Sequence, residues 1–429
     1  MMSAGRDPPP ARQRIDVQRI DVSCAHRCDV DFDTFLIRVC TYNIHIPASI
    51  ATIVAASRRN WPVSPPTPKR MAAFATPIRG PRGVAHCGRY HGKTCHTKTC
   101  ASVQLAGCGS AVPDLVLTNR DLEAYVETSD EWIVSRTGIK KRHILSEGET
   151  LSSHAAASAL KALEMARVLP EDVDLIIMAT SSPDDLFGSA TSVQATIGAT
   201  KAAAFDLTAA CSGFVMALAT GAQFIRAGTY RNVLVIGADA LSSYIDWRDR
   251  NTCVLFGDGS GAVLLRAGED GEQCGLLGID MHSDGSGLKN LNCSFAGKGN
   301  KPDGEEASST GSYNNLHMNG QEVFKFAVRA VPRVLEAALE DAGIAKEELD
   351  WLVLHQANMR ILASAAERLG VPPERVVSNL SDYGNTSAAS IPIALDEAVR
   401  RGDIKRGDVL GLAGFGAGLS WAAAIVRWG

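Results

Sequence analysis

Apolar positions along this chain alternate between two patterns, helical runs with apolar residues three and four apart and short continuous apolar runs of strand length. The order then recurs. The segment Ala159 to Leu175 (ALKALEMARVLPEDVDL) realigns with Leu335 to Trp351 (LEAALEDAGIAKEELDW) at an offset of 176, and a strand-like run follows each copy. Further on, Cys211 and Asn385 each precede an apolar helical stretch that closes 17 residues later at a glycine, Gly228 and Gly402. Matching strands come next, NVLVIGA from Asn232 and DVLGLAG from Asp408. Offsets held near 174 to 176 across that span predict a duplicated α/β unit, with a first half over residues 103–270 and a second over 271–429. On this alignment Cys211 and Asn385 occupy equivalent helix starts, and pairing of the halves brings them together.

The chain has 429 residues, 45% of them hydrophobic and 21% charged. That is long enough for more than one core and ordinary for a soluble protein. The net charge of −4 hides a split: residues 51–100 carry nine Lys or Arg and no acid, whereas residues 101–429 hold 28 basic against 41 acidic side chains, a net of −13. A body this acidic disfavours nucleic acid as a partner. Six cysteines precede residue 101 and five follow it (Cys108, Cys211, Cys253, Cys274 and Cys293). Five scattered thiols indicate a reducing compartment, not a disulfide scaffold. The stretch HCGRYHGKTCHTKTC alternates Cys and His but contains no CxxC pair, so no metal site is expected there.

From Met71 the chain is basic, acid-free and rich in small residues, the profile of an organelle transit peptide, although serine is scarce. Residues 1–70 contain acids and read as a longer leader or an untranslated upstream extension. Residues 1–102 are accordingly set apart from the fold, with the functional start at Met71 as one option and the plastid stroma as the destination. Val409 to Val426 is apolar apart from Ser420, but four glycines make it a poor lone helix. Two buried strands joined by a glycine turn explain it better, and no membrane span is expected.

Three short segments carry candidate chemistry. In AACSGF, Cys211 stands between a strand-like AAFDL and a helical run, where the helix N-terminus lowers a thiol pKa from its free value of about 8.5. The alternative is a buried structural thiol, the reading given to Cys253 in the strand-like TCVLFGDG. In LHQANMR, the strand DWLVL runs into His355, placing the imidazole at a strand's C-terminal end, where α/β proteins build sites. In YGNTSAAS, Asn385 is either a site amide or a helix N-cap. The glycine-rich FGDGSG and GFGAG turns are not GxGxxG, which argues against a dinucleotide; exposed N–H groups in such turns suit an oxyanion hole.

Together, TSDEWIVSRTGIKKRHI, TAACSGF, FGDGSGA, MNGQEVFKFAV, LHQANMRI, GNTSAAS and GFGAGLSW resemble the β-ketoacyl-acyl carrier protein synthase III family, in order and over residues 103–429. The resemblance implies a thiolase-like α/β fold whose duplicated halves pack as five αβαβα layers. It implies a Cys211, His355 and Asn385 site, and coenzyme A held by Trp132, Arg136 and Arg250. An acyl pocket at Phe187 and Leu241 and a homodimer are also implied. The implied reaction is decarboxylative condensation of acetyl-CoA with malonyl-acyl carrier protein through an acyl-cysteine, initiating type II fatty acid synthesis. Backbone N–H groups of Cys211 and Ala417 would hold the oxyanion, and neither a metal nor any other cofactor is required. Asn385 disfavours the elongating relatives with two histidines, and DEWIVSRTGI disfavours chalcone-synthase-like ones. For an acidic carrier protein the candidate contacts are Arg360 and Arg368, eight residues apart after His355; the alternative is two ordinary solvated arginines. The rival readings are a sibling that condenses other acyl chains and a non-catalytic partner subunit.

Overall fold

The computed structural model describes residues 102–268, 275–297 and 311–429; the leader expected before the fold, apart from Ser102, lies outside them. Nine strands make up two main sheets. The first contains β1 (Val103–Ala111), β2 (Leu175–Ala179), β3 (Ala203–Leu207), β4 (Asn232–Asp239) and β5 (Gly259–Ala267), in the spatial order β1-β5-β4-β2-β3. The second contains β6 (Gly275–Ser283), β7 (Trp351–Leu354), β8 (Val409–Gly416) and β9 (Ser420–Arg427), in the order β7-β8-β9-β6. In the first sheet β2 runs parallel to β3 and β4, while β5 is antiparallel to β4 and β1. In the second, β7 is parallel to β8, and β9 is antiparallel to β8 and β6. Order and direction thus repeat, with β7-β8-β9-β6 copying β2-β4-β5-β1. The counterpart of β3 shrinks to one parallel bridge between Leu352 and Val376.

Seven helices matter for the site: α1 (Asp130–Thr137), α2 (Leu151–Ala166), α3 (Ala190–Ile197), α4 (Gly213–Arg226), α5 (Gly320–Ala342), α6 (Met359–Leu369) and α7 (Ser390–Arg401). Strand side chains alternate between faces, and the core divides accordingly. Leu175 and Ile177 of β2 join Leu410 and Leu412 of β8 around α4 and α7. Ile176 and Met178 point the other way, onto α2 and α3, and Leu352 and Val409 do so onto α5 and α6. The result is five layers, helices on either side of each sheet with α4 and α7 shared in the middle. A shared layer needs helices apolar on more than one side. GFVMALATGAQFIR in α4 and SIPIALDEAV in α7 meet that need, each burying most of its residues.

The repeat keeps the offset of 176 at Asp174 and Asp350, whose N–H groups donate to the Asn232 and Val409 carbonyls, and widens to 177 at those partners and at the turns before α4 and α7, not the 174 read from Cys211 and Asn385. The turn before α4 carries Ala210 at φ 48° and the turn before α7 carries Ser387 at φ 51°, the same place in each copy (387 against 210). Cys211 is therefore matched by Ala388, and Asn385 lies three residues upstream of that match. The equal 17-residue intervals arose because α7, with 12 residues, is two shorter than α4, with 14, and its glycine follows directly instead of one residue later.

Glycines hold the two copies together. A β-carbon on Gly237 of β4 would lie 2.2 Å from the Ala388 carbonyl oxygen, and one on Gly414 of β8 would lie 2.8 Å from the Cys211 carbonyl oxygen. Each half thus abuts the other's helix start through backbone alone. The apolar Val409–Val426 run is the β8–β9 hairpin, and no helix among the described residues is long and apolar enough to cross a membrane. Strand β3 forms one edge of the first sheet, whereas β4 lies at its centre.

Gly237→Ala should cost about 1–3 kcal/mol of stability by overpacking, measured by urea unfolding. Gly285→Ala, where nothing lies within 4 Å of the added carbon, should stay within about 0.5 kcal/mol.

Candidate active site

Strand β3 ends in a 3-10 turn, Ala210–Ser212, that runs into α4 and leaves Cys211 buried at the helix start. Ala210 is held in the left-handed region, a conformation costing an L-residue roughly 1 kcal/mol or more, so the core must enforce it. In the other half Asn385 precedes the equivalent turn. The FGDG turn grips its backbone on both sides: Asn385 N–H donates to the Leu255 carbonyl at 2.8 Å, and Gly257 N–H donates to the Asn385 carbonyl at 3.0 Å. The Asp258 N–H is likewise spent, on the His143 carbonyl. FGDGSG is therefore a clamp on Asn385 and not an oxyanion turn. Cys253 is buried as expected, but in the turn before this clamp instead of in a strand. Strand β7 delivers His355 at its C-terminal end, where His355 N–H donates to the Ala413 carbonyl and Phe415 packs edge-on against the ring at 5.2 Å.

Cys211, His355 and Asn385 all line one cavity of about 1030 Å³, together with Ala417 and Leu241. The Asn385 side-chain oxygen accepts the Ser387 N–H at 2.9 Å, and no described side chain or carbonyl takes its amide nitrogen. The N-cap reading does not hold, since Thr386 caps the 3-10 segment Ser387–Ala389 and Ala389 stands at the cap of α7; the side-chain oxygen closes a turn before them.

Burial dominates the electrostatics. The Cys211 thiol is pushed up to about 12, with desolvation the largest cause, opposed by the Ser387 hydroxyl and reinforced by the Asp239 charge. From an ordinary 9.0 this disfavours the thiolate by about 4 kcal/mol, whereas a helix terminus is worth roughly 0.3–2 kcal/mol. The expected low thiol pKa is therefore overturned in the substrate-free protein. His355 is pushed down from 6.5 to about 3, also by desolvation, so it is neutral. Its Nδ1 lies 2.7 Å from the Ser390 hydroxyl, which also donates to the Ser387 carbonyl at 2.8 Å. One hydroxyl hydrogen cannot serve both. When it turns to Nδ1, the single imidazole proton sits on Nε2 and can be donated into the cavity.

The register of 177 shows how the two copies differ at their matched strand ends. In the first half Asp239 sits at the end of β4 and its carboxylate accepts the Ala388 N–H at 3.1 Å. The matching residue of β8 is Gly416, where a β-carbon would lie 2.8 Å from the Cys211 nitrogen. With no side chain there, the Cys211 N–H stays open beside Ala417. Sequence reading missed Asp239, Ser387, Ser390 and Gly416; the hydroxyls three apart in GNTSAAS were the available signal.

Away from the sulfur, both Arg136 and Arg250 stack on Trp132, their guanidinium carbons 4.9 and 4.7 Å from its ring centroid. Trp132 and Arg250 line a cleft that shares Thr137, Leu255, Met318, Gly320 and Gln321 with the catalytic cavity. Phe187 does not line the cavity. It is 94% exposed on the loop after β2, where its N–H is tied to Asp185, whereas Leu241 lines the cavity with Tyr244, Leu316 and Phe324. Arg360 lines the cavity and donates to the Ser135 carbonyl of α1 at 2.9 Å. Arg368 is set back from the cavity, with Glu336 at 4.0 Å.

Two family models match the chain. 3-Oxoacyl-[acyl-carrier-protein (ACP)] synthase III covers residues 205–285, and the corresponding C-terminal model covers residues 339–428. The chain is 58% identical over 329 residues to β-ketoacyl-[acyl-carrier-protein] synthase III of Microcystis aeruginosa, spanning 77% of this chain and 98% of that protein. It is 54% identical over 336 residues to the Arabidopsis thaliana protein of the same name, described as chloroplastic, spanning 76% and 82%. The crystal structure of the Thermus thermophilus synthase III superposes with a TM-score of 0.70 at 47% identity, over 76% of this chain and 99% of that one.

Because His355 resists protonation only when folded, stability should fall as pH drops from about 6.5 towards 3. The difference in unfolding free energy between the wild type and His355→Asn, measured by urea titration, should carry that slope and be flat above pH 7.

Proposed function

The chain belongs to the 3-oxoacyl-[acyl-carrier-protein] synthase III family, the condensing acyltransferases that initiate type II fatty acid synthesis, and we propose how its own residues divide that reaction. The observation that carries the reading is the meeting of a thiol, a neutral imidazole and an amide on one cavity beside an unblocked N–H. In the first stage the Cys211 sulfur attacks the thioester carbonyl of acetyl-CoA. The C–S bond to coenzyme A breaks, and the thiol proton leaves with coenzyme A. The tetrahedral oxyanion lies between the N–H groups of Cys211 and Ala417. In the second stage malonyl-acyl carrier protein loses carbon dioxide. The enolate oxygen is held by His355 Nε2–H and the Asn385 amide, each such donor being worth about 3 kcal/mol. The carbanion then attacks the acetyl carbonyl, the C–S bond to Cys211 breaks, and the released thiolate takes up one proton from solvent to restore the thiol. Neutrality of His355 suits a donor that is never asked to carry charge.

Coenzyme A is assigned to the Trp132 cleft, where two guanidinium groups on one indole offer a flat face for a base and cations for phosphates. The carrier protein is assigned to the rim at Arg360, since a local cation must override a body that is acidic overall. A second copy of the chain fits the free edge of β3, flanked by the exposed Leu186, Phe187 and Phe205. The plastid is the assigned compartment, supported by the acid-free stretch before the fold and by the chloroplastic relative.

Mass spectrometry after incubation with acetyl-CoA should find an added acetyl group, absent in Cys211→Ala and discharged by malonyl-acyl carrier protein. Labelling by longer acyl-CoAs alone would assign another primer, and no labelling would remove the nucleophile. Ser390→Ala, which loses the hydroxyl that sets the imidazole proton, should slow discharge about tenfold or more while leaving acetylation within about twofold.

A further inference from the structure

One serine in the site has no part in the scheme above. The Ser387 hydroxyl lies 3.3 Å from the Cys211 sulfur, inside the site and shielded from solvent. Its main chain is tied down by the Ser387 N–H, which donates to Asn385 Oδ1 at 2.9 Å. The residue is held at φ 51°, so the hydroxyl is aimed by backbone that the fold enforces. The other copy shows that this backbone does not need a hydroxyl, because Ala210 occupies the matching position at φ 48°. The serine oxygen is therefore surplus to folding.

Beyond Ser387 lies Asp239, wholly buried at the end of β4. Its carboxylate accepts from the Ser181 N–H at 2.7 Å, the Ser182 hydroxyl at 3.0 Å, the Thr180 hydroxyl at 3.2 Å and the Ala388 N–H at 3.1 Å. Among the described residues no basic side chain pairs with it. Two acceptors thus flank one hydroxyl, the Cys211 sulfur and the Asp239 carboxyl; burial pushes the Asp239 carboxyl up, and the hydrogen bonds around it oppose that rise. The Asp239 charge opposes ionisation of Cys211, and Ser387 hydrogen bonding favours the charged form of each. The remaining titratable group facing the sulfur, His355, is neutral and adds no attraction.

We propose that Ser387 is a catalytic residue: its hydroxyl donates a hydrogen bond to the Cys211 sulfur as that sulfur loses its proton, and turns to Asp239 once the sulfur is acylated. This rests on Cys211 being the nucleophile. A hydrogen bond to a charged acceptor deep in the protein is strong enough to shift an ionisation by about one pH unit. The thiolate is thereby drawn from a thiol that burial otherwise keeps protonated. The acyl group, having no negative sulfur to satisfy, leaves the hydroxyl to the carboxylate.

The test is the rate of iodoacetamide alkylation at Cys211, followed by peptide mass spectrometry between pH 6 and 9, in the wild type, Ser387→Ala and Ser387→Gly. Both variants should alkylate roughly tenfold more slowly at each pH, and acetylation by acetyl-CoA should slow in parallel. Alanine has a precedent at Ala210 and glycine favours φ 51°, so at least one variant keeps the fold, checked by its melting temperature. Wild-type alkylation rates in both variants would overturn the proposal. So would slowing in the alanine variant with a normal rate in the glycine variant, which would assign the effect to backbone. Alkylation needs no substrate: a wild type that is never acetylated would defeat the nucleophile reading, while the alkylation rates would still decide the role of the hydroxyl.

Discussion

How closely a helix start can approach a strand end sets the geometry of everything else in this protein. At Gly414 and Gly237 the place of a β-carbon is already taken by the carbonyl oxygens of Cys211 and Ala388. Both contacts are backbone against backbone, and interiors packed at crystal-like density do not give way easily. The helices concerned, α4 and α7, are the shared middle layer of the core. Any displacement of the reacting sulfur would therefore have to move a helix wedged between two sheets. The pre-set orientation that acyl transfer needs comes from the most buried part of the molecule, not from a loop.

The same depth decides which charges exist. Desolvation drives the thiol up and the imidazole down, so the resting pair is neutral on both sides. A cysteine–histidine ion pair of the kind that lowers thiol pKa values in some proteases has no basis here. What the dry cavity supplies instead is strength per hydrogen bond, since each donor aimed at a developing charge acts through a low effective dielectric. Donors count for more than formal charges in such a setting, and the site is built almost wholly of donors: two peptide N–H groups, an amide, a neutral imidazole and serine hydroxyls.

Much of this is legible in the amino-acid sequence, for physical reasons. Duplication leaves periodic apolar runs, which survive as pattern, so the two α/β halves and the pairing of β2 and β4 with β7 and β8 could be read from alternating helix and strand lengths. Catalytic residue types at strand and helix ends were equally visible. What failed was finer. The register slipped because α4 and α7 differ in length, and glycine stops mark helix ends, not the tight turns before them. The low thiol pKa was inferred from a local dipole, whereas burial is a property of the whole packed core. Phe187 was assigned by resemblance to a pocket from which its loop, within one chain, holds it away. The role of FGDG as a clamp on Asn385 depends on contacts more than a hundred residues apart in sequence, which no local pattern records.

Asp239 and Gly416 stand at matched ends of β4 and β8, and their difference gives the repeat a division of labour. The two copies build the same strained turn against the same strand end. In one copy a carboxylate plugs the peptide N–H and turns the place into a rivet. In the other, a hydrogen atom in place of a side chain leaves a socket. A duplicated fold of this kind starts with two equivalent openings, and a single carboxylate suffices to close one of them. The closed copy is then free to be rigid, while the open copy keeps its socket and borrows its walls from its sealed twin.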